Sequence, residues 1–199
     1  IGGMELDFFR ELENIGAAHA ATALSMMLSR PITIRVPRAQ LCGYSEICDI
    51  LNGPESVVAG LLVGISEDIR GFILLVLGEE DAKTLSRSLI GDFVGGMSAS
   101  EVEEFGASAL REVANILIGS YITAISEMTG LKIEASVPEL VFDMAGAVMN
   151  LLAVAYGNFG DQVLFMETEF SDREHSIMGH FFLIPDIESC KILIEKFAV

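Results

Sequence analysis

An α+β fold of two pseudo-symmetric halves is predicted, with an antiparallel or mixed central sheet and two long helices that carry matching surface groups. Three observations predict it. Asp7, Glu11, Asn14 and Pro37 are answered 101 positions later by Ser108, Glu112, Asn115 and Pro138, with identical spacings. Between the Glu and the Pro, the same offset aligns identical residues without a gap, among them Ile15 with Ile116, Thr22 with Thr123, Ser25 with Ser126, Ile32 with Ile133 and Val36 with Val137. An offset held that far marks an internal duplication, and a repeat governs the reading of every other signal. Finally, each copy is followed by two apolar, β-branched runs around a short polar turn and then by a helical stretch. Hairpins crossed by helices argue for α+β rather than a parallel α/β sheet. One domain is therefore expected over residues 4–199, built of repeats at about 4–92 and 100–199, with Ile1, Gly2 and Gly3 expected to be a vector-derived remnant and set aside from the fold.

In the first copy, residues 7–29 predict a long helix. Phe8, Leu12, Ile15, Ala23 and Met26 fall on one face, and Pro31 supplies the stop. Residues 32–37 alternate apolar and polar as a strand does, and 38–54 are less regular, closing on the turn signal Asn52-Gly53-Pro54. The runs 56–65 and 69–77 flank Ser66-Glu67-Asp68 as a hairpin. Residues 79–90 form a helix whose first turn is acidic, as the helix dipole favours.

Residues 91–99, centred on Gly95-Gly96, form the linker. Ser100 and Glu103 have the spacing of a capping box. They would open a second long helix that runs to Thr129 and ends at Gly130. A strand at 132–137, an apolar helix at 140–156, a hairpin at 162–170 and 177–184, and a closing helix at 186–197 complete the second copy.

Composition removes several function classes. Twelve Lys and Arg against 29 Asp and Glu give a formal charge of −17, the opposite of the basic footprint that nucleic acid requires. Anionic membranes are disfavoured for the same reason, and a partner with a basic or mixed surface is favoured, mostly through its on-rate. The uncharged stretch 144–160 falls short of the roughly 20 apolar residues that span a bilayer, and no basic leader with an apolar run opens the chain. Cys42, Cys48 and Cys190 are an odd number without metal-ligand spacing, and read as reduced thiols of a cytoplasmic protein.

Residues at i, i+4 and i+7 share a helix face. The first helix thus presents Asp7, Glu11, Asn14, Ala18, Ala21 and Ser25, and the second Ser108, Glu112, Asn115, Gly119, Ile122 and Ser126. This stripe lies beside the apolar face and is expected to be largely solvent-accessible. Past each Asn the next residue of the stripe, Ala18 or Gly119, is small, which lets another surface come close. Asn is a poor interior helix residue because its side chain competes for backbone hydrogen bonds. Finding it twice, at one place and beside the same Glu, points to function.

The doubled pattern Asp/Ser-x3-Glu-x2-Asn-x22-Pro resembles the CheC-type phosphatases of bacterial and archaeal chemotaxis, the CheC, CheX and FliY group. The resemblance covers the chain after Met4 and includes Glu13-Asn14-Ile15-Gly16-Ala17 and Ala107-Ser108-Ala109-Leu110-Arg111-Glu112. Two sites separate the chain from the CheX type, which typically has one. The end at Val199 is expected to separate it from FliY, which carries a further flagellar-switch domain, and this leaves the CheC type. Ala18 and His19 stand where a more Gly/Asn-like pair is usual.

The resemblance implies hydrolysis of the aspartyl-phosphate of the response regulator CheY. An acyl phosphate is already activated, and the regulator brings its own divalent ion, magnesium, and a lysine, so the phosphatase needs no cofactor of its own. What remains is to hold a water in line with phosphorus. A carboxamide does this without a charge that repels the phosphoryl group, which assigns that role to Asn14 and Asn115. Glu11 and Glu112 are assigned to the regulator's lysine, and Asp7 and Ser108 to flanking partner contacts.

Metal, Ser-His-Asp and phosphate-loop chemistries have no supporting motif. His175 and His180 would face opposite ways on a strand, and His19 stands alone on the apolar side of its helix.

The alternative reading is an adaptor that binds the receptor deamidase CheD, a partner that the family implies. Asp143, expected at the start of the second-half apolar helix, is the candidate contact. A monomer is expected, because a one-site protein of this fold would have to dimerise to complete its sheet, whereas the duplication supplies both halves in one chain.

Overall fold

The computed structural model describes residues 3–91, 96–156, 162–171 and 175–197, apart from the side chains of residues 3–10, 13, 155, 156, 162 and 197. The first half consists of α1 (Gly3–Leu28), β1 (Thr33–Gly43), a 3-10 turn (Tyr44–Glu46), the one-turn α2 (Ile47–Ile50), β2 (Val57–Glu67), β3 (Gly71–Gly78) and α3 (Glu79–Ile90). The second consists of α4 (Ala99–Thr129), β4 (Ile133–Ala135), β5 (Glu139–Met144), α5 (Ala145–Tyr156), β6 (Gln162–Ser171), β7 (Ser176–Pro185) and α6 (Ile187–Phe197).

All the strands join one 7-stranded sheet in the order β1-β6-β7-β3-β2-β4, with β5 also pairing β2. Each pairing is antiparallel. The two hairpins, β2–β3 and β6–β7, meet at the centre, where Leu75 stands opposite Phe181 and Leu74 opposite Phe182. The outer strands are exchanged. β1 of the first half pairs with β6 of the second, and β4 and β5 of the second pair with β2 of the first. The pseudo-two-fold therefore runs between β3 and β7, and each half closes the other's sheet.

The central strands are apolar on both faces, as strands covered on both sides are. On one face Ile73, Leu75, Leu77, Phe181 and Leu183 join the core beneath α1, α3, α4 and α6. On the other Leu74, Val76, Phe165, Phe182 and Ile184 pack against α2 and α5. The Tyr44 hydroxyl donates to the Met149 carbonyl at 2.9 Å and ties the 3-10 turn to α5.

Several boundaries differ from the sequence expectation. Pro37 does not end β1. The strand continues to Gly43, and the register shifts between Arg35 and Arg38, a bulge that accommodates a residue with no N–H to donate. Its repeat, Pro138, falls in the break between β4 and β5.

Residues 140–144, expected to start a helix, lie in β5, because the pairing of Leu140, Val141 and Phe142 with β2 outweighs the local apolar pattern. The capping box is Ser98 with Glu101, two residues earlier than expected: Ser98 Oγ accepts the Glu101 N–H at 3.3 Å, and the Glu101 carboxylate accepts the Ser98 N–H at 2.8 Å. Gly130 ends α4 as expected, in the left-handed conformation at φ 72°. Much of the linker, residues 92–95, lies outside the described residues.

Candidate active site

The two long helices present equivalent faces to the core. Leu12, Gly16, Ala17, Ala20 and Leu24 are buried on α1, and their counterparts 101 positions on, Val113, Leu117, Ile118, Tyr121 and Ile125, are buried on α4. The outer face repeats as well. Thr22 Oγ1 donates to the Ala18 carbonyl at 2.9 Å, and Thr123 Oγ1 to the Gly119 carbonyl at 2.8 Å.

These buried stripes fix the direction of the residues between them. Glu11 and Asn14 are exposed on α1, and Glu112 and Asn115 are exposed on α4. Each pair is separated by three residues, which places its Cβ atoms roughly 5–6 Å apart on one helix face. None of the four side chains has a hydrogen-bonding or ion-pair partner among the described residues. The structure thus brings Glu and Asn together on one exposed face within each helix. Ser108 is exposed one turn before Glu112. The side chain of Asp7 lies outside the described residues.

Each pair puts an acceptor-only carboxylate beside a carboxamide that both donates and accepts. Such a surface can order a water and bind a cation from a partner.

The stripe does not stay on the surface as far as the sequence implied. Ile122 is only 7 % exposed, whereas Ala21, its counterpart, is half-buried. The two helices are also complementary in size. A Cβ on Gly16 would lie 2.4 Å from Tyr121 Cδ1, so the Tyr121 ring occupies the space that a side chain on Gly16 would take. Beside Asn14, an open groove of about 450 Å³ runs between α1 and the edge of β1, along Ala17, Ala18, Ala21 and residues 32–36.

Two expectations are corrected. Asp143 does not begin a helix. It is the penultimate residue of β5, two residues before α5 begins, where its Oδ1 accepts the Met144 N–H at 2.7 Å. His19 is exposed rather than on the apolar side of α1, because the buried positions on either side of it are Ala17 and Ala20. The sequence reading also passed over Phe105. This large apolar side chain is exposed, and it stands seven residues before Glu112, hence on the same face. That spacing was the available signal.

The CheC-like family model matches residues 4–40 and 105–142, two segments that begin 101 residues apart, as the duplication does. The CheY-P phosphatase CheC of Bacillus subtilis is 33% identical over 187 residues, covering 93% of this chain and 90% of that protein. The chain belongs to the CheC-like family. Among solved structures, FliY of Thermotoga maritima superposes on this CheC-like chain with a TM-score of 0.75 at 24% identity, covering 100% of this chain and 98% of that one. The CheX–CheY complex of Borrelia burgdorferi, with beryllofluoride and magnesium, matches with a TM-score of 0.50 at 20% identity, over 86% of this chain and 97% of that one. At those identities the likeness is one of fold. Among the described residues, no helix is long and apolar enough to cross a membrane.

Proposed function

We propose that this CheC-like chain hydrolyses the aspartyl-phosphate of the response regulator CheY at two sites, Glu11 with Asn14 and Glu112 with Asn115. The observation that carries this reading is the repetition of an exposed Glu/Asn pair, held on equivalent helix faces by equivalent buried residues. In the reading, the Asn carboxamide accepts a hydrogen bond from a water and holds it in line with phosphorus. The Glu carboxylate meets the regulator's lysine and sets the docking geometry. The regulator brings the magnesium ion, and Asp7 and Ser108 flank the contact. The name of the Bacillus relative and the presence of CheY in the Borrelia complex support CheY as the substrate.

The same reading places the chain in the cytoplasm as a monomer. Light scattering at micromolar concentration should give a monomer mass, and a tight homodimer would contradict this. A second role, binding the deamidase CheD, is favoured by the edge of the sheet at β5. There Val57, Phe142 and Met144 are exposed on one face of the strand pair, and Asp143 is exposed on the other.

Phosphate release from phosphorylated CheY tests the main reading. Asn14→Ala with Asn115→Ala should reduce acceleration on the order of 10²-fold or more, as the loss of one positioning donor does elsewhere, and should leave regulator binding nearly intact. Normal release from that double variant would leave the adaptor reading in its place.

A further inference from the structure

One charge at each site is opposite in sign to its surroundings. α1 and α4 each contain one Lys or Arg, Arg10 and Arg111, among several Asp and Glu. The two arginines are 101 positions apart, the offset of the duplication, and each directly precedes the Glu of its site. The repeated surface is therefore Arg-Glu-x2-Asn, and both copies lie within the segments that match the CheC-like family model. The usual support for an Arg on a helix surface is a carboxylate one turn away. Arg111 has none, because the residues three and four positions from it are Ala107, Ser108, Ala114 and Asn115. Its side chain is exposed and has no hydrogen-bonding or ion-pair partner among the described residues. The side chain of Arg10 lies outside the described residues.

Helix geometry sets the arrangement. At about 100° per residue, Arg111 lies roughly 40° to one side of Asn115 and Glu112 roughly 60° to the other. A helical side chain leans over the turn that precedes it, so the Asn115 carboxamide lies over the turn that carries both. Guanidinium, carboxamide and carboxylate thus stand side by side, with the carboxamide in the middle.

We propose that Arg111, and Arg10 at the first site, is a further catalytic residue, whose guanidinium donates hydrogen bonds to a phosphoryl oxygen of the aspartyl-phosphate while the neighbouring Asn holds the water. This rests on the reading of the Glu/Asn pairs as the sites of hydrolysis. The Glu112 carboxylate and the formal charge of −17 both oppose the approach of a phosphoryl group. A guanidinium supplies the opposite charge beside the carboxamide, and its paired N–H donors match the oxygens of a phosphoryl group. In the step, the water oxygen bonds to phosphorus as the bond from phosphorus to the aspartyl oxygen breaks. The electron pair of that bond leaves with the Asp carboxylate, and both water protons stay on the released dihydrogen phosphate. The arginine gives and takes no proton. It steadies the charge on the equatorial oxygens, where positioned cations act in phosphoryl transfer.

The test uses the full chain with the first site silenced by Glu11→Ala and Asn14→Ala. Arg111→Gln keeps a polar side chain without its charge. It should lower kcat for phosphate release from phosphorylated CheY by about tenfold or more, and Arg111→Lys should restore part of the loss. The melting temperature should not change, since Arg111 has no partner in the fold. In titration calorimetry, Arg111→Gln should weaken binding of beryllofluoride-activated CheY and leave binding of unmodified CheY as in the parent. Arg10→Gln, with the second site silenced by Glu112→Ala and Asn115→Ala, should give the same loss of kcat, and its absence removes Arg10 from the proposal. A kcat within about twofold of the parent in folded Arg111→Gln, or equal losses of affinity for activated and unmodified CheY, overturns the arginine assignment and leaves the Asn assignment standing. Undiminished phosphate release from the Asn14→Ala, Asn115→Ala chain overturns both.

Discussion

Gly16→Ala perturbs the crossing of the two site-bearing helices by one methyl group, and the structure sets the size of the effect. The new Cβ would stand 2.4 Å and 2.6 Å from two Tyr121 ring carbons. Carbon atoms rest at about 3.5–4.0 Å, so something must move by roughly 1 Å. The ring has no room to give: Tyr121 is 0 % exposed and packs on Phe181 with ring centroids 4.9 Å apart. Overpacking of this kind costs about 1–3 kcal/mol, and the better helix propensity of Ala returns up to about 1 kcal/mol. The expected net loss is about 1–2 kcal/mol, and for a chain of this length that lowers the melting temperature by roughly 2–8 °C. Circular dichroism melts of Gly16→Ala, Tyr121→Leu and the double variant would measure it. With the ring removed, Gly16→Ala should be neutral or stabilising by about 0.5–1 kcal/mol, since only the helix term remains. Each Glu/Asn pair lies within a single helix, so the folded fraction should keep its activity. A melting temperature at or above that of the parent for Gly16→Ala, or an equal cost in both backgrounds, would refute the reasoning.

Three further outcomes are expected. Glu11→Lys with Glu112→Lys should weaken regulator binding itself, measured by titration calorimetry, because each places a cation against the regulator's lysine; binding equal to that of the parent chain would remove the carboxylates from the interface. His180 is held neutral by burial, which lowers its pKa from 6.5 and is partly opposed by Glu167 and Asp81. The unfolded chain therefore binds the extra proton first, and stability should fall as pH drops through about 6.5; His180→Gln should flatten the melting temperature between pH 7 and pH 5, and an unaltered slope would exclude His180 as the cause. A chain cleaved between Gly91 and Gly96 should stay folded as two associated pieces while neither piece folds alone, because among the described residues β1 and β4–β5 pair across the halves; a cooperative melt from residues 4–91 alone would count against this.

The duplication, the hairpins and the exposed Glu/Asn pairs were legible because they depend on local spacing and on helix periodicity. The span of α3, Glu79–Ile90, agrees with the helix that the acidic first turn predicts. The failures lie where tertiary pairing overrides local pattern. Residues 140–156 are mostly apolar and read as one helix, and only the partner strand β2 decides that residues 140–144 are extended. Pro37 reads as a stop because a bulge is visible only against β6. Met26 was placed on the apolar face of α1 but is 77 % exposed, since the helix end overhangs the core while Ala20 and Leu24 face it. The side of Ile122 could not be read from the stripe either, because its burial is set by the tertiary core it joins.

The exchange of outer strands has an evolutionary consequence. A single half, before duplication, could complete its sheet only by lending its first strand to a second copy of itself. The present chain is then the fused form of a domain-swapped dimer. In such a dimer every substitution appears twice and assembly depends on concentration. Joining the copies through the glycine-bearing linker freed the fold from mass action and let one half change without the other. The pairing of Gly16 with Tyr121, where the strict repeat would set Leu117 against Ala20, is the kind of asymmetry that only a covalent pair can acquire.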